Sequence, residues 1–362
     1  MENIIKNVCR AFKINGEFIS YEKITNGNVN KTYRVNFSRN GASGAEVKSY
    51  ILQNLNLYVF KQPQQVMHNI DIVTEHIRRN HPDEINLHFY HTVTGENYYI
   101  DETGFWRMLN YIDSVTYNVC DDLHVLYSAG KAFGSFQNML GDFDADTLFE
   151  TISDFHNTPK RIQTLLDDVA KDEAGRVKSV KEEIDYIYSV RDEAGRLTEM
   201  LKNGELPLRV THNDTKINNV LFDKKTHNTI AVIDLDTVMP GLVGHDFGDA
   251  VRFSANYVAE DSADYSHAGV DMAKFKAFTE GFLSETKNVL TPNEIETLPL
   301  SCFALTVELA ARFLDDYING DKYFRTEYPE HNLVRTRCQI ALAKDMATKR
   351  NAMADIVKAC ID

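Results

Sequence analysis

The chain reads Thr-His-Asn-Asp-Thr-Lys-Ile-Asn-Asn-Val-Leu-Phe-Asp at residues 211–223 and Ile-Ala-Val-Ile-Asp-Leu-Asp at residues 230–236. Each stretch contains a short apolar run that suits a buried strand, and the residues between the two runs are polar and typical of a turn. The pattern predicts a hairpin that returns Asp234 beside Asn219. Asp214 lies five residues before Asn219. The sequence therefore predicts three polar side chains around one point.

This set of side chains is typical of phosphoryl transfer. The spacing Asp-x-x-x-x-Asn is that of the His-Arg-Asp-x-x-x-x-Asn catalytic loop of kinases. A carboxylate there accepts the proton of the attacking hydroxyl, while an amide oxygen and a second carboxylate hold magnesium against the phosphates. An ordinary hairpin with acidic ends is the other interpretation, but the complete combination is more specific than either part.

Further motifs resemble the aminoglycoside phosphotransferase and choline kinase superfamily, and within it the N-acetylhexosamine 1-kinases. They lie at residues 208–219, 233–241, 246–253, 312–314 and 328–337. The resemblance runs from about residue 20 to residue 345. It implies a bilobal α+β fold like that of the protein kinases, and ATP-dependent phosphorylation of the anomeric hydroxyl of N-acetylglucosamine or N-acetylgalactosamine.

The resemblance also implies roles for the residues of the hairpin. Asp214 is the expected general base and contacts the sugar, and His212 is expected to fix the loop backbone. Asn219 and Asp234 are the expected magnesium ligands, since both present oxygen to a hard cation. Asp236 is expected to support the loop, with a second metal ion as the alternative.

Nucleotide contacts are expected from side chains or backbone groups spread along the chain: Asn26, Gly27, Gln53, Tyr111, Ile112 and Lys216. Gly27 is the only glycine of a loop that in kinases is glycine-rich. Gln53 stands where most kinases have a phosphate-binding lysine, so magnesium and other donors must offset more of the phosphate charge. Asp71 has the approximate place of the kinase helix acid, or is a solvated helix residue.

Sugar contacts implied by the resemblance are Asn28, Asp214, Phe253, Arg312 and Tyr323. Aromatic faces and polar donors suit such a pocket. Three of these residues have other interpretations: a core position for Phe253, an ion pair with an acid such as Asp246 for Arg312, and a plain surface site for Tyr323. Asp246 and Asp249 follow Gly244 and are expected to be structural N-cap residues of a helix.

Hydrophobic periodicity predicts the order β-β-β-α-β-β in the N-terminal part. The strands are expected at 18–24, 31–37, 49–53, 87–93 with 98–100, and 105–109, and the helix at 63–79. Beyond residue 113 the pattern is helical apart from the hairpin, with helices expected at 123–140, within 149–203, at 273–283, 292–317 and 334–357. The predicted domains are a nucleotide-binding lobe, 1–110, and a catalytic and sugar-binding lobe, 111–362.

Composition narrows the class of protein. The 362 residues carry 53 acidic and 39 basic side chains, a net charge of −14. Nucleic-acid partners are not expected, because phosphate backbones recruit basic surfaces. The sequence shows no signal-peptide pattern and no apolar run of membrane-spanning length. The five cysteines are scattered without a Cys-x-x-Cys pair, so we expect a cytoplasmic protein. The resemblance implies ATP and Mg²⁺ as cofactors and a small-molecule sugar as substrate, and we expect a monomer.

Two alternatives remain at this stage. One is a kinase of another small alcohol, such as an amino alcohol, a thioribose or an aminoglycoside. The other is a pseudokinase-like nucleotide-binding module, suggested by Gln53 and the glycine-poor loop. The presence of Asp214, Asn219 and Asp234 argues against the second alternative.

Overall fold

The structure is a computed structural model that describes residues 1–25, 29–41, 44–85 and 87–361. These residues form two compact units. The N-terminal unit contains residues 1–114 together with 146–152 and 233–238. Its helices and strands are α1 (Glu2–Cys9), β1 (Glu17–Ile24), β2 (Lys31–Gly41), β3 (Gly44–Asn54), α2 (Pro63–Asn80), β4 (Tyr99–Asp101) and β5 (Gly104–Asn110).

The strands of the N-terminal unit form one antiparallel sheet in the order β1-β2-β3-β5-β4. Tyr33, Val35 and Phe37 alternate along β2 and are all buried, as the sequence periodicity predicts. They join the residues of α1 and of β3 and β5 in one apolar cluster. This sheet places Gln53 of β3 opposite Arg107 of β5.

The strand predicted at residues 87–93 is wrong. The chain there makes only isolated bridges, Phe89 with Leu109 and Phe12 with Thr92. Tyr90 N still donates to Met108 O at 2.8 Å, so the segment runs along β5 without regular pairing. Alternating side chains therefore signalled burial beside the sheet and not membership in it.

The C-terminal unit contains residues 115–145, 153–232 and 239–362. Its helices and strands are α3 (Leu123–Met139), α4 (Thr158–Lys171), α5 (Lys181–Ala194), α6 (Arg196–Lys202), β6 (Arg209–Thr211), β7 (Val220–Phe222), β8 (Thr229–Val232), β9 (Met239–Gly241), α7 (Val243–Ser254), α8 (Met272–Thr286), α9 (Pro292–Glu296), α10 (Leu298–Ile318) and α11 (His331–Ile361). The predicted α+β class is confirmed.

The core of the C-terminal unit is a large apolar cluster in which the helices pack on one another and on the β7–β8 hairpin. α3 and α8 approach so closely that both need glycine at the contact. A Cβ at Gly130 would lie 2.1 Å from Phe278 O, and one at Gly281 would lie 2.0 Å from Tyr127 O. Among the described residues, no helix combines the length and apolar character that crossing a bilayer requires.

Candidate active site

The catalytic-loop motif occupies the turn between two small sheets of the C-terminal unit. β6 pairs with β9, a short 3₁₀ helix covers Ile217–Asn219, and β7 pairs with β8. The predicted hairpin is confirmed, with Val220 opposite Val232. Asp234 follows the end of β8 by two residues in the chain, and its predicted place beside Asn219 stays a prediction.

Both carboxylate oxygens of Asp214 have a polar partner in this unit. Asn219 Nδ2 donates to Asp214 Oδ2 at 3.1 Å and to the Asp214 carbonyl at 2.8 Å. Lys216 Nζ lies 3.0 Å from Asp214 Oδ1, and its side chain stays one-third exposed. The Asp214 carboxylate raises the pKa of Lys216, so the ammonium stays charged. These contacts orient the carboxylate, and each oxygen retains a lone pair for a further donor.

Two carboxylates of α7 hold the loop backbone from below. Asp246 accepts from His212 N at 2.9 Å and from Asn213 N at 2.7 Å, while Asp249 accepts from Thr215 N at 3.1 Å. The predicted N-cap positions are wrong, because α7 begins at Val243 and both residues lie inside the helix. Their structural role is exerted on the loop and not on the helix end.

The two α7 carboxylates differ in their electrostatics. Burial raises the pKa of Asp246, although backbone N–H groups and Gln137 Nε2, at 2.8 Å, favour its charged form. Burial acts in the same direction on Asp249, but the charge and hydrogen bonds of Arg252 outweigh it and lower the pKa. Arg252 is in turn paired with Glu260. A buried chain of alternating charges therefore supports the loop.

His212 itself is fully buried, as expected for a residue that fixes the loop. Its ring lies edge-on to Phe133 and Phe136 of α3. Its Nδ1 accepts from Asp214 N at 3.3 Å. The imidazole thus shapes the backbone on which the Asp214 side chain stands.

A second histidine, His156, contacts the same loop from the other side. Its Nε2 lies 3.2 Å from Asn213 O, and its Nδ1 lies 2.8 Å from Glu308 Oε1 on α10. Two acceptors at the two ring nitrogens suit an imidazolium, which donates from both. Burial alone would lower the pKa of His156, but the Glu308 carboxylate outweighs it and raises the pKa. Asn213, which receives this contact, has a left-handed backbone with φ of 64°.

The partner carboxylate shows the matching effect. Burial alone would raise the pKa of Glu308, but the charge of His156 and hydrogen bonds from His156 and Thr158 lower it to about 2. His245, whose ring centroid lies 5.1 Å from that of His156, is buried and has its pKa lowered to about 3. One buried imidazolium and one neutral imidazole therefore stand side by side behind the loop.

The residues predicted to bind nucleotide in the N-terminal unit are Asn26, Gly27, Gln53, Tyr111 and Ile112. Asn26, Gly27 and Asn28, the last predicted to contact the sugar, lie outside the described residues. Tyr111 lies under the Arg34 guanidinium, 4.2 Å from it, and the Ile112 carbonyl accepts from Ser114 Oγ at 3.1 Å.

Gln53 makes two hydrogen bonds inside the sheet. Its Oε1 accepts from Arg107 Nε at 2.8 Å, and its Nε2 donates to Thr32 Oγ1 at 3.2 Å. Arg107 also forms a buried ion pair with Asp236. Gln53, at the position where most kinases have a lysine, therefore lies beside Arg107 of the neighbouring strand β5.

Asp234 has a left-handed backbone with φ of 61°, and a 3₁₀ turn, Leu235–Thr237, follows it. Asp71, the expected helix acid, pairs at 3.5 Å with His91 and is one-third exposed. In the described part of the chain, no group of three or more His, Cys, Asp or Glu side chains is placed to hold a metal ion. The predicted magnesium ligands, Asn219 and Asp234, would not form such a group, because they are only two residues and one of them is an amide.

The residues predicted to contact the sugar differ in their surroundings. The Arg312 guanidinium lies 5.3 Å from the Phe155 ring and 5.6 Å from the Phe324 ring, and it hydrogen-bonds to no described residue. It does not pair with Asp246. Tyr323 is 59% exposed. Phe253 is half-buried against the core cluster, which agrees with its interpretation as a core residue.

Asp316 shapes the segment that carries Tyr323 and Phe324. Its Oδ1 accepts from Lys322 N and Tyr323 N, both at 2.8 Å, and its Oδ2 accepts from Phe324 N at 2.9 Å. Asn332 Nδ2 donates to the same oxygen at 2.9 Å. A single buried carboxylate therefore sets the loop against which Arg312 stacks.

Sequence reasoning missed four residues that support segments carrying predicted site residues: Arg107 in the N-terminal unit, and His156, Glu308 and Asp316 in the C-terminal unit. None belongs to a motif with a characteristic local spacing. An isolated polar residue within an apolar helix, such as Glu308 in α10, was the one available signal, because such a residue needs a buried partner.

Comparison with known proteins agrees with the fold. A family model described as the phosphotransferase enzyme family, APH, matches residues 20–278. A microcompartment-associated aminopropanol kinase superposes with a TM-score of 0.65 at 16% identity, covering 98% of this chain and 99% of its own. A choline kinase from Cryptosporidium parvum Iowa II gives 0.58 at 15% identity with 100% of both chains covered. A spectinomycin phosphotransferase in complex with ADP and spectinomycin gives 0.58 at 12% identity, with 95% and 98% covered.

The family match covers well over half of the chain, and the structural matches share the α+β, protein-kinase-like fold. Together with the geometry around Asp214, they identify the class of protein. The chain belongs to the APH phosphotransferase enzyme family.

Proposed function

We propose that this protein transfers the γ-phosphoryl group of ATP to a hydroxyl of a small-molecule acceptor, with Asp214 receiving the hydroxyl proton. The carrying observation is the cluster in which Asn219 and Lys216 orient the two oxygens of Asp214. In a loose transition state the base mainly positions the hydroxyl and takes its proton late, so a pre-oriented carboxylate is what the step needs.

Magnesium fits the residues proposed to hold it. Asn219 turns its amide nitrogen to Asp214, and its amide oxygen accepts no hydrogen bond from the described residues. That oxygen and the carboxylate of Asp234 are hard donors of the type Mg²⁺ prefers. When bound, the ion would offset negative charge on the phosphate oxygens, and Lys216 would add a further cation.

The acceptor is proposed at two levels. The comparisons favour an amine-bearing alcohol over a sugar, since the similar structures are named for aminopropanol, choline and spectinomycin. The motif run from residue 208 to residue 253 supports the other candidate, the anomeric hydroxyl of N-acetylglucosamine or N-acetylgalactosamine.

Arg312 is the geometric feature that bears on this choice. Its guanidinium lies between two aromatic rings, and its N–H groups donate to no described residue. A neutral acceptor that presents carbonyl or hydroxyl oxygens can accept these hydrogen bonds, whereas a cationic amine next to Arg312 would be repelled. The arginine thus favours the neutral sugar, against the trend of the comparisons.

An assay of ADP formation with Mg²⁺, ATP and a panel of acceptors tests both levels. The panel contains both N-acetylhexosamines, aminopropanol, ethanolamine, choline and an aminoglycoside, with Asp214→Asn as the inactive control. Phosphorus NMR of the product locates the new ester. A sugar 1-phosphate as the product would support an N-acetylhexosamine as the acceptor. A phosphorylated amino alcohol as the product would support the amine-bearing acceptor instead. Magnesium-dependent nucleotide binding without turnover of any acceptor would favour the binding-module alternative.

A further inference from the structure

The N-terminal unit contains an ion pair in which both side chains are buried. Arg107 of β5 donates from Nη1 to Asp236 Oδ1, and the two side chains are 2% and 3% exposed. Arg107 Nε donates to Gln53 Oε1 at 2.8 Å, across the register pair of β3 and β5. One planar guanidinium therefore joins a strand of the sheet to the turn after Asp234.

The second oxygen of Asp236 is also engaged. Asn30 Nδ2 donates to Asp236 Oδ2 at 2.7 Å, and Asn30 Oδ1 accepts from Asn56 N at 3.0 Å. Asn69 of α2 donates to Val238 O at 2.9 Å at the other end of the same segment. The turn is thus held at Asp236 and at Val238 by groups of the N-terminal unit.

Such an arrangement is a poor way to gain stability. Desolvation of two charges can exceed their attraction, so burial of an ion pair is weak evidence that the pair stabilises the fold. Asp236 of this pair lies two residues after Asp234. The backbone of Asp234 is left-handed, a conformation that the neighbouring structure must hold.

We propose that Arg107 is a positioning residue for the metal-binding carboxylate. It holds Asp236 against the sheet, and through the turn it sets the backbone of Asp234 while keeping the Asp236 charge neutralised. The same arrangement accounts for Gln53, since an amide oxygen accepts from Arg107 whereas a lysine there would place two cations side by side. The metal role of Asp234 is the one part that rests on the proposed function.

Calorimetric binding of ADP, with Mg²⁺ and with EDTA, separates positioning from stability. Arg107→Lys keeps the charge but replaces a rigid fork of donors with a point charge, so it cannot hold Gln53 and Asp236 in the same geometry. We expect its affinity for ADP to fall at least tenfold with Mg²⁺ and to stay near wild type in EDTA.

A double variant removes the charge problem. In Arg107→Met with Asp236→Leu, no buried charge is left unpaired, and the melting temperature should exceed that of Arg107→Met alone. The magnesium-dependent part of ADP affinity should stay lost. A matched control is Arg337→Met with Glu183→Leu, which removes an ion pair between α11 and α5 (2.7 Å) and should leave ADP affinity unchanged.

The outcomes are distinct. If magnesium-dependent affinity returns together with the melting temperature in the double variant, or is normal in Arg107→Lys, Arg107 is a structural residue only and the proposal is wrong. If the wild-type protein binds ADP equally with and without Mg²⁺, the proposed function fails, whatever the variants do.

Discussion

Asp214 is held in place by its neighbours but is not itself part of the core, so its chemistry can be tested without unfolding the protein. Asp214→Asn keeps the shape and replaces an acceptor-only group with one that also donates hydrogen bonds. We expect kcat to fall by about a hundredfold or more, the usual range for general acid–base loss. ATP affinity should change little. Steady-state kinetics with circular dichroism test this, and a folded variant with near-normal kcat would remove Asp214 from the mechanism.

The two carboxylates of the Asp-Leu-Asp turn should differ in what they affect. Loss of Asp234 as a metal ligand should raise the free energy of the transition state by about 3 kcal/mol, which reduces turnover roughly a hundredfold. Asp236→Asn should reduce turnover less and thermal stability more, because it leaves the buried Arg107 without its counter-charge. Kinetics and melting temperatures of the two asparagine variants decide between them. Equal or reversed effects on turnover would show that the ligand was misassigned.

At the scale of elements, the pair between His156 and Glu308 joins the loop that carries Asp214 to α10. Because the pKa of His156 is raised in the folded protein, protonated His156 contributes its full stabilisation at pH values below the ordinary pKa of 6.5. That stabilisation is lost as the pH rises through the pKa of the folded state. The lowered pKa of Glu308 contributes fully above 4.5 and is lost as the pH falls toward about 2. The pair therefore contributes most between pH 4.5 and 6.5.

Glu308→Gln should lose about 3 kcal/mol or more in that window, since it leaves a buried cation unpaired. The deficit should shrink at alkaline pH, where His156 is neutral in both proteins. Denaturant unfolding at an acidic and an alkaline pH measures it. Glu199→Gln, which breaks an exposed pair with Arg196, serves as the control and should show no such window. A deficit independent of pH would mean that the pair is not charged.

The loop that carries Tyr323 depends on one carboxylate. Asp316→Ala removes the acceptor of three backbone N–H groups, so the loop should no longer hold Phe324 against Arg312. We expect the KM for the acceptor to rise about tenfold, equivalent to ~1.4 kcal/mol, with the KM for ATP unchanged. Asp271→Ala, which removes the N-cap of α8, is the control for general loss of stability. An unchanged acceptor KM would separate this loop from the acceptor site.

For the whole molecule, ligand binding and unfolding are linked. A ligand that binds only the folded protein stabilises it by about 2.7 kcal/mol at a hundredfold excess over Kd. We expect ADP with Mg²⁺ to raise the melting temperature and EDTA to abolish most of the gain. Scanning calorimetry of the wild type and of Asp234→Asn tests this. A gain in the variant equal to that of the wild type would argue against Asp234 as a ligand.

The sequence by itself determined the features that depend on neighbours in the chain. The five-residue interval from Asp214 to Asn219, the hairpin that follows and the alternating buried side chains of β2 come from local periodicity and turn chemistry. The same local signals mispredicted a strand at 87–93, because alternation reports burial and not pairing.

The tertiary structure alone decided which charges are buried together. Asp246 reaches the loop from 33 residues away, His156 from 57, and Arg107 meets Asp236 across 129 residues. A buried charge needs a partner, and that partner can come from any segment that the fold brings near. Local patterns identified the residues proposed to do the chemistry, whereas remote ones, invisible to spacing, hold them in place.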